Sequence, residues 1–359
     1  MAARDILEYG GAFGGTAIPD SVVLSNVGAW HNTGTVLDSN GEVGLTIEQA
    51  LPASGLDFTV VKTPIYVPVL DKEGVPKVYR SGPNKGRPQV MTEAAERRYG
   101  VVRTDTNYCL GVVGETWEPM QPIDGFQIVN DVIEQAGGKC WIESAGSIDG
   151  GRKIWVMAHI NTELQIAGES YRSYLLFTTG FDGRLSTAAA AIDERVLCAN
   201  TLNFAVFGEA KESGYIVRVR HTKNAGERIQ EAHAILGMRN KRAEELAQQG
   251  EWLVEQSWDE GKFEDFLQTL MVQPEEEGPS YTMIGQRQDQ VREIYHGPTC
   301  KPIENTAWAG VQAVLEYCDH GRNFKDVETQ TRNQLGITQV ALKQQAYELA
   351  LDLSGFSAN

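Results

Sequence analysis

The tripeptide Asp149-Gly150-Gly151 constrains this chain more than any other feature. Adjacent glycines supply the positive φ angles that a tight hairpin requires, and two apolar-rich runs, 139–148 and 152–161, flank the turn. In the second run Ile154, Val156, Ala158 and Ile160 share one face, while Trp155, Met157 and His159 share the other. Both sets are bulky, so the strand is expected to be covered on both sides. A second hairpin follows: 171–179, the turn Phe181-Asp182-Gly183-Arg184, then 185–192. Segment 214–222 reads as a further strand, with Tyr215, Val217 and Val219 on one face and Arg218 and Arg220 on the other.

Helical spacing brackets these strands. Phe126, Val129, Val132 and Ile133 place a helix over 124–135, stopped by Gly137-Gly138, and 196–207 reads as another. A short helix is expected near 46–51. Beyond residue 225 the pattern is helical over 227–249, 259–272, 281–295, 305–320 and 338–353, with Asp259 and Thr338 as N-caps and Gly321 as a C-cap. The fold class is α+β: a mixed, antiparallel-rich sheet in which β-hairpins are followed by a helix, plus a helical C-terminal part. Residues 1–55 form an N-terminal arm, 56–225 the α+β core with a basic loop, and 226–359 an acidic helical region.

Charge follows the same division. Of the net −16, residues 1–59 carry −6, residues 60–225 are neutral and residues 226–359 carry −10. Acidity on this scale argues against wide non-specific binding to nucleic acid, but not against a local basic groove in the neutral middle. Five scattered cysteines without a C-x-x-C pair imply reduced thiols rather than a disulfide framework. No run approaches the roughly 18 apolar residues of a membrane span, and the N-terminal residues do not read as a secretory signal. The expectation is a cytoplasmic protein without membrane contact.

Enzyme chemistry finds no support in the spacing. The six histidines make no metal-ligand pattern, and neither a P-loop nor G-x-S-x-G occurs. Cys198 near a predicted helix start, with His159 or His221 as base, invites a thiol mechanism, yet an apolar helix face explains it as core. Asp182 is explained by its turn, and Asp193 and Glu194 at the far end of the next strand would not converge with it on a metal. Arg195, Asn200 and Asn203 read as polar braces within a helix. No catalytic site, metal or cofactor is expected.

Three stretches carry a resemblance: YCLGVVGETWEPMQPIDGF at 108–126, ESAGSIDGGRKIWVMAHI at 143–160 and ERVLCANTLNFAV at 194–206, with RHT at 220–222 as a fourth. Together they resemble the phage/plasmid-like protein family, over roughly residues 20–330. The family-motif positions here are Asp182, Gly183, Arg195, Cys198, Asn200 and His221. The resemblance implies a role in mobile-element biology. Family members often place a histidine before the Asp-Gly of the hairpin turn, where this chain has Phe181. The hairpin order also resembles the β-β-β-α arrangement of Rad-fifty-two-type annealing proteins, which form rings and hold single-stranded DNA in a basic groove.

The loop between 72 and 103 provides the best lead to function. Lys77, Arg80, Lys85, Arg87, Arg97, Arg98 and Arg103 supply cations on a Gly- and Pro-rich backbone, and Tyr79 and Tyr99 supply rings for base stacking. Arg218 and Arg220 would extend the groove. The expected function is non-catalytic binding, and annealing, of single-stranded DNA by a homo-oligomer such as a ring. The alternative is a protein-interaction factor whose acidic helices engage a host or phage protein.

Overall fold

The computed structural model describes residues 22–25, 35–37, 44–66, 68–89, 97–137, 140–148, 150–195, 200–202, 216–218, 225–321 and 340–356. The strands are β1 (Val22–Ser25), β2 (Thr35–Leu37), β3 (Val60–Pro64), β4 (Arg98–Arg103), β5 (Cys109–Gly114), β6 (Cys140–Ile148), β7 (Lys153–Ile166), β8 (Glu169–Gly180), β9 (Ala188–Arg195), β10 (Asn200–Leu202) and β11 (Ile216–Arg218). The helices are α1 (Ile47–Ala53), α2 (Pro122–Gln135), α3 (Ala225–Glu255), α4 (Glu260–Leu270), α5 (Pro279–Tyr295), α6 (Ala307–Asp319) and α7 (Val340–Leu353). The α+β class holds. No described helix is long and apolar enough to cross a membrane.

The larger sheet runs β10-β9-β8-β7-β6-β1-β2, with β11 also paired to β9; β1 and β2 are parallel and the other pairs antiparallel. Its centre is the meander that the glycine turns predict: Gly150 and Gly151 both take positive φ. The alternation in β7 sorts as expected. Ile154, Val156, Ala158 and Ile160 join the main core, while Trp155 and Met157 join a smaller cluster on the opposite face with Tyr174, Leu176, Ala190 and Ile192.

Helices α2 and α3 cover the main face. Phe126, Val129 and Val132 of α2 and Ala232, Ile235 and Met238 of α3 enter the core beside Leu175, Phe177, Ala189 and Ala191. β9 is alanine-rich and every residue of it is buried. Alanine is a weak strand former, but here its small side chain leaves room for α3. The far half of α3, with Leu246 and Leu253, belongs to a second core centred on α6. In that core Gly310 lets Trp258 and Phe266 close on α6, and Phe263 stacks on Tyr295 with ring centroids 3.7 Å apart. Trp308 Nε1 donates to the Tyr171 hydroxyl at 3.1 Å, joining this helical core to the end of the sheet.

Two readings of the sequence are corrected. β9 begins at Ala188 and runs through Asp193 and Glu194 to Arg195, three residues later than the pattern suggests. Leu185 packs on Gly180, and the Thr179 and Thr187 hydroxyls lie 2.7 Å apart, so the turn takes up 181–187. Residues 200–202, expected in a helix, form β10 and pair antiparallel with β9, Asn200 opposite Arg195. The apolar run 196–202 suits strand and helix alike, and the open edge of β9 offers backbone partners that a helix would forgo. Arg195 therefore ends a strand rather than opening a helix. Cys198, Arg220 and His221 lie outside the described residues, as do Asn203, Tyr215, Val219 and Thr338.

The smaller sheet, β3-β4-β5, sits beside the main core. Its outer strand β3 is capped by Gln121, whose amide accepts from the Val60 N–H at 2.8 Å and donates to the Val60 carbonyl at 3.0 Å. Gln121 also precedes α2 as its N-cap. On the other side Gly111 of β5 lies against Asp182 of the hairpin turn, where any larger residue would collide with the Asp182 backbone.

Candidate nucleic-acid interface

Between β3 and β4 the chain leaves the core and folds into a separate flap, residues 68–89. Three segments close it through a ring of backbone hydrogen bonds: Val69 N–H to Gln89 O at 2.8 Å, Gln89 N–H to Lys77 O at 2.6 Å, and Lys77 N–H to Val69 O at 2.8 Å. Pro68, Pro76, Pro83 and Pro88 restrict the backbone, and Gly74, Gly82 and Gly86 take the positive φ of its turns. Asp71 ties one turn by accepting from the Glu73 and Val75 N–H groups. The basic loop of the sequence is thus a shaped element.

The flap carries five bases, Lys72, Lys77, Arg80, Lys85 and Arg87, against two acids, Asp71 and Glu73, for a net +3 in a chain of −16. All five cations are exposed, and none forms an ion pair among the described residues. Tyr79 is half-buried among them. Arg97 and Arg98 stand exposed at the start of β4, on the strand end to which the flap returns. Arg97 lies 3.8 Å from Glu115, an exposed pair that contributes little.

The structure places the remaining expected members differently. Arg103 is buried, its guanidinium 3.6 Å from the centre of the Phe58 ring and paired with both oxygens of Asp105 at 3.1 and 2.7 Å. Its partner draws the Asp105 carboxyl below the usual range. Arg103 is thus enclosed at the end of β4 by Phe58 and Asp105, not presented to a phosphate. Tyr99 packs against the main core, with the Lys62 amine 5.2 Å from its ring centre, so it is not a free stacking platform. Arg218 is exposed but lies on β11, bonded to the Ser186 hydroxyl, on the edge of the larger sheet. Arg184, exposed in the neighbouring turn, is an additional cation that the FDGR motif carried in plain view.

Asp193 and the first two residues of the 194–206 stretch, Glu194 and Arg195, build a different kind of site, a buried polar junction. Asp193 points to the main face, where the Ser173 hydroxyl donates to it at 2.7 Å. Burial raises its carboxyl, and the charge of Arg242, the Ser173 hydrogen bond and the charge of Arg239 act against that rise. Both arginines come from α3 and are buried. Glu194 points to the opposite face and accepts from the Tyr174 hydroxyl at 3.1 Å. Burial pushes it up to about 7. Arg195 is fully buried and makes a two-point bond to Glu169 at 2.8 and 2.7 Å. Glu194 and Arg195 thus tie β9 to its neighbour β8, and Asp193 alone faces the arginines of α3. They are not gathered on one ligand, and no group of metal-ligating side chains occurs among the described residues.

On the Glu194 face, Trp141, His159 and Tyr174 form a row of rings across β6, β7 and β8, with centroids 4.3 and 5.2 Å apart. Burial and the Arg172 charge lower His159 to about 4, which keeps its imidazole neutral. Cys140 and Cys300 are driven up to about 11 and about 12 by burial, the reverse of an activated thiol. Asp182 accepts from the Arg184 N–H at 3.0 Å within its turn, and Phe181 is buried against Phe58.

The comparison with known families covers β5 through α6 and takes in the buried junction; the flap precedes it and α7 follows it. No curated protein and no solved structure matches the chain. Over residues 109–337 the chain matches the family described as a domain of unknown function, DUF932, and it belongs to that family.

Proposed function

We propose that this protein is a non-catalytic factor of phage and plasmid DNA metabolism that holds single-stranded DNA along its basic flap in the cytoplasm of a bacterial host. The observation that carries the reading is the flap itself. Its five exposed cations are held on a backbone fixed by prolines and cross-bonds, with no acid partner among the described residues. Structural cations in this chain look different: Lys62, Arg103, Arg195 and Lys343 are all paired with acids. A polyanion with exposed phosphates and stackable bases fits such a surface, with Tyr79 placed for the bases and Arg97 and Arg98 at the root. Annealing of complementary strands is the activity to assay next, although the helix on which the likeness to ring-forming annealing proteins rested is replaced here by β10.

The test is fluorescence anisotropy of a labelled single-stranded oligonucleotide at low and moderate salt, without added metal. Binding should weaken steeply with salt, and replacing Arg80, Lys85 and Arg87 together with alanine should abolish most of it. Unchanged affinity in that variant would remove the flap from the account.

A further inference from the structure

Besides its cations, the flap exposes Leu70, Val75 and Val78, with Leu70 52% accessible. A second surface has the same character and the opposite sign. In the connection from α4 to α5, Val272 is 70% accessible, followed by the exposed Glu275, Glu276 and Glu277 and then by exposed Tyr281 and Met283. This connection folds back into one corner: Gln273 Nε2 donates to the Tyr281 carbonyl at 3.3 Å, and Gln288 Nε2 to the Met271 carbonyl at 2.8 Å. No cation among the described residues pairs with its three glutamates. Each surface alone leaves apolar side chains wet and like charges uncompensated; facing each other, both defects are removed.

We infer that the flap of one copy docks on the 271–283 corner of a second copy. The two patches differ, so the contact is head-to-tail. Repeated, it gives a ring where the rotation closes and a filament where it does not. The three glutamates occupy the position that phosphates take in the nucleic-acid reading, so a single strand and a neighbouring copy compete for one flap. The inference stands independently of that reading, because self-association needs no nucleic acid.

The test is sedimentation of the full chain without nucleic acid. The wild type should sediment above its 39.5 kDa monomer mass at low salt and return to monomer at about 1 M salt, where the screening length is about 3 Å. Glu275→Lys/Glu276→Lys/Glu277→Lys should be monomeric while keeping single-strand affinity, and Lys72→Glu/Lys77→Glu should be monomeric as well. Mixing these two monomeric variants should restore association, because each then offers a flap and a corner that the other complements. A wild type that is monomeric at low salt, variants that associate as the wild type does, or a mixture that stays monomeric would each overturn the inference. Loss of single-strand binding with association intact would overturn only the nucleic-acid reading.

Discussion

The Tyr174 hydroxyl donates to Glu194 Oε2 at 3.1 Å across the β8–β9 pair, on a face where burial holds the Glu194 carboxyl up to about 7. The folded state keeps this proton between pH 4.5, the group's ordinary value, and about 7, whereas the unfolded chain has lost it. The stabilisation is therefore full below pH 4.5 and is lost as pH rises to 7, a change of about 3 kcal/mol. His159 acts oppositely: it stays neutral down to about 4, so its contribution is lost as pH falls from 6.5. Urea unfolding at a series of pH values should show Glu194→Gln removing the first trend, so that stability rises from pH 4 to 6.5. Tyr174→Phe removes a hydrogen bond that favours the ionised carboxyl, and should extend the loss of stability to higher pH.

Lys343 Nζ lies 2.5 Å from Asp319 Oδ1, and both side chains are essentially inaccessible. The pair ties α7 to the end of α6, and the Asp319 charge also acts on Glu194 in β9. Removing one partner leaves the other charge buried. Lys343→Met should cost about 3–5 kcal/mol of unfolding free energy. The double variant Lys343→Met/Asp319→Asn should recover most of that loss. Equal destabilisation of the single and double variants would show that removing the Asp319 charge recovers nothing, so that a buried charge left behind is not what the single variant costs.

Much of the fold can be read from local chemistry because its punctuation is strong. Thr46 caps α1 with a reciprocal capping box to Gln49, and Asp259 caps α4 by accepting from the Lys262 N–H. Both are visible as residue types ahead of an apolar stripe. What could not be read depended on distant partners. Alternation puts Arg103, which meets Phe58 and Asp105 inside, and the exposed Arg98 on opposite faces of β4, but only the closed fold says which face is covered. Arg239 and Arg242 share the α3 face of Ile235 and Leu246 and are buried with it, which the helical reading of 227–249 did not single out. Their carboxylate, Asp193, is some fifty residues away in the chain, and only the closed fold connects them. Residues 200–202 became a strand because β9 had an open edge, a fact no window of sequence contains.

Two glycines should respond to alanine with opposite signs. A Cβ on Gly125 of α2 would sit 2.5 Å from Phe177 Cε1 in the main core, so Gly125→Ala should destabilise by about 1–3 kcal/mol. Gly237 in α3 has nothing within 4 Å of the same atom. With helical backbone and no collision, Gly237→Ala should stabilise by about 0.5–1 kcal/mol. Thermal or urea melts of the two variants separate a packing constraint from a conformational cost.

Arg103 and Arg87 carry the same charge in one basic stretch, but Arg103 is buried and Arg87 is exposed. Arg103→Met loses the Asp105 pair and the Phe58 contact, so it should lower stability while leaving the salt dependence of single-strand binding as it was. Alanine at Arg80, Lys85 and Arg87 should leave the melting temperature nearly unchanged, since all three are exposed and unpaired among the described residues. It should instead flatten the plot of log affinity against log salt by about 2, from roughly 0.7 per phosphate contact on a single strand. If Arg103→Met flattens the plot as much, the buried arginine must reach the strand through an opened sheet, and the flap loses its claim to be the binding element.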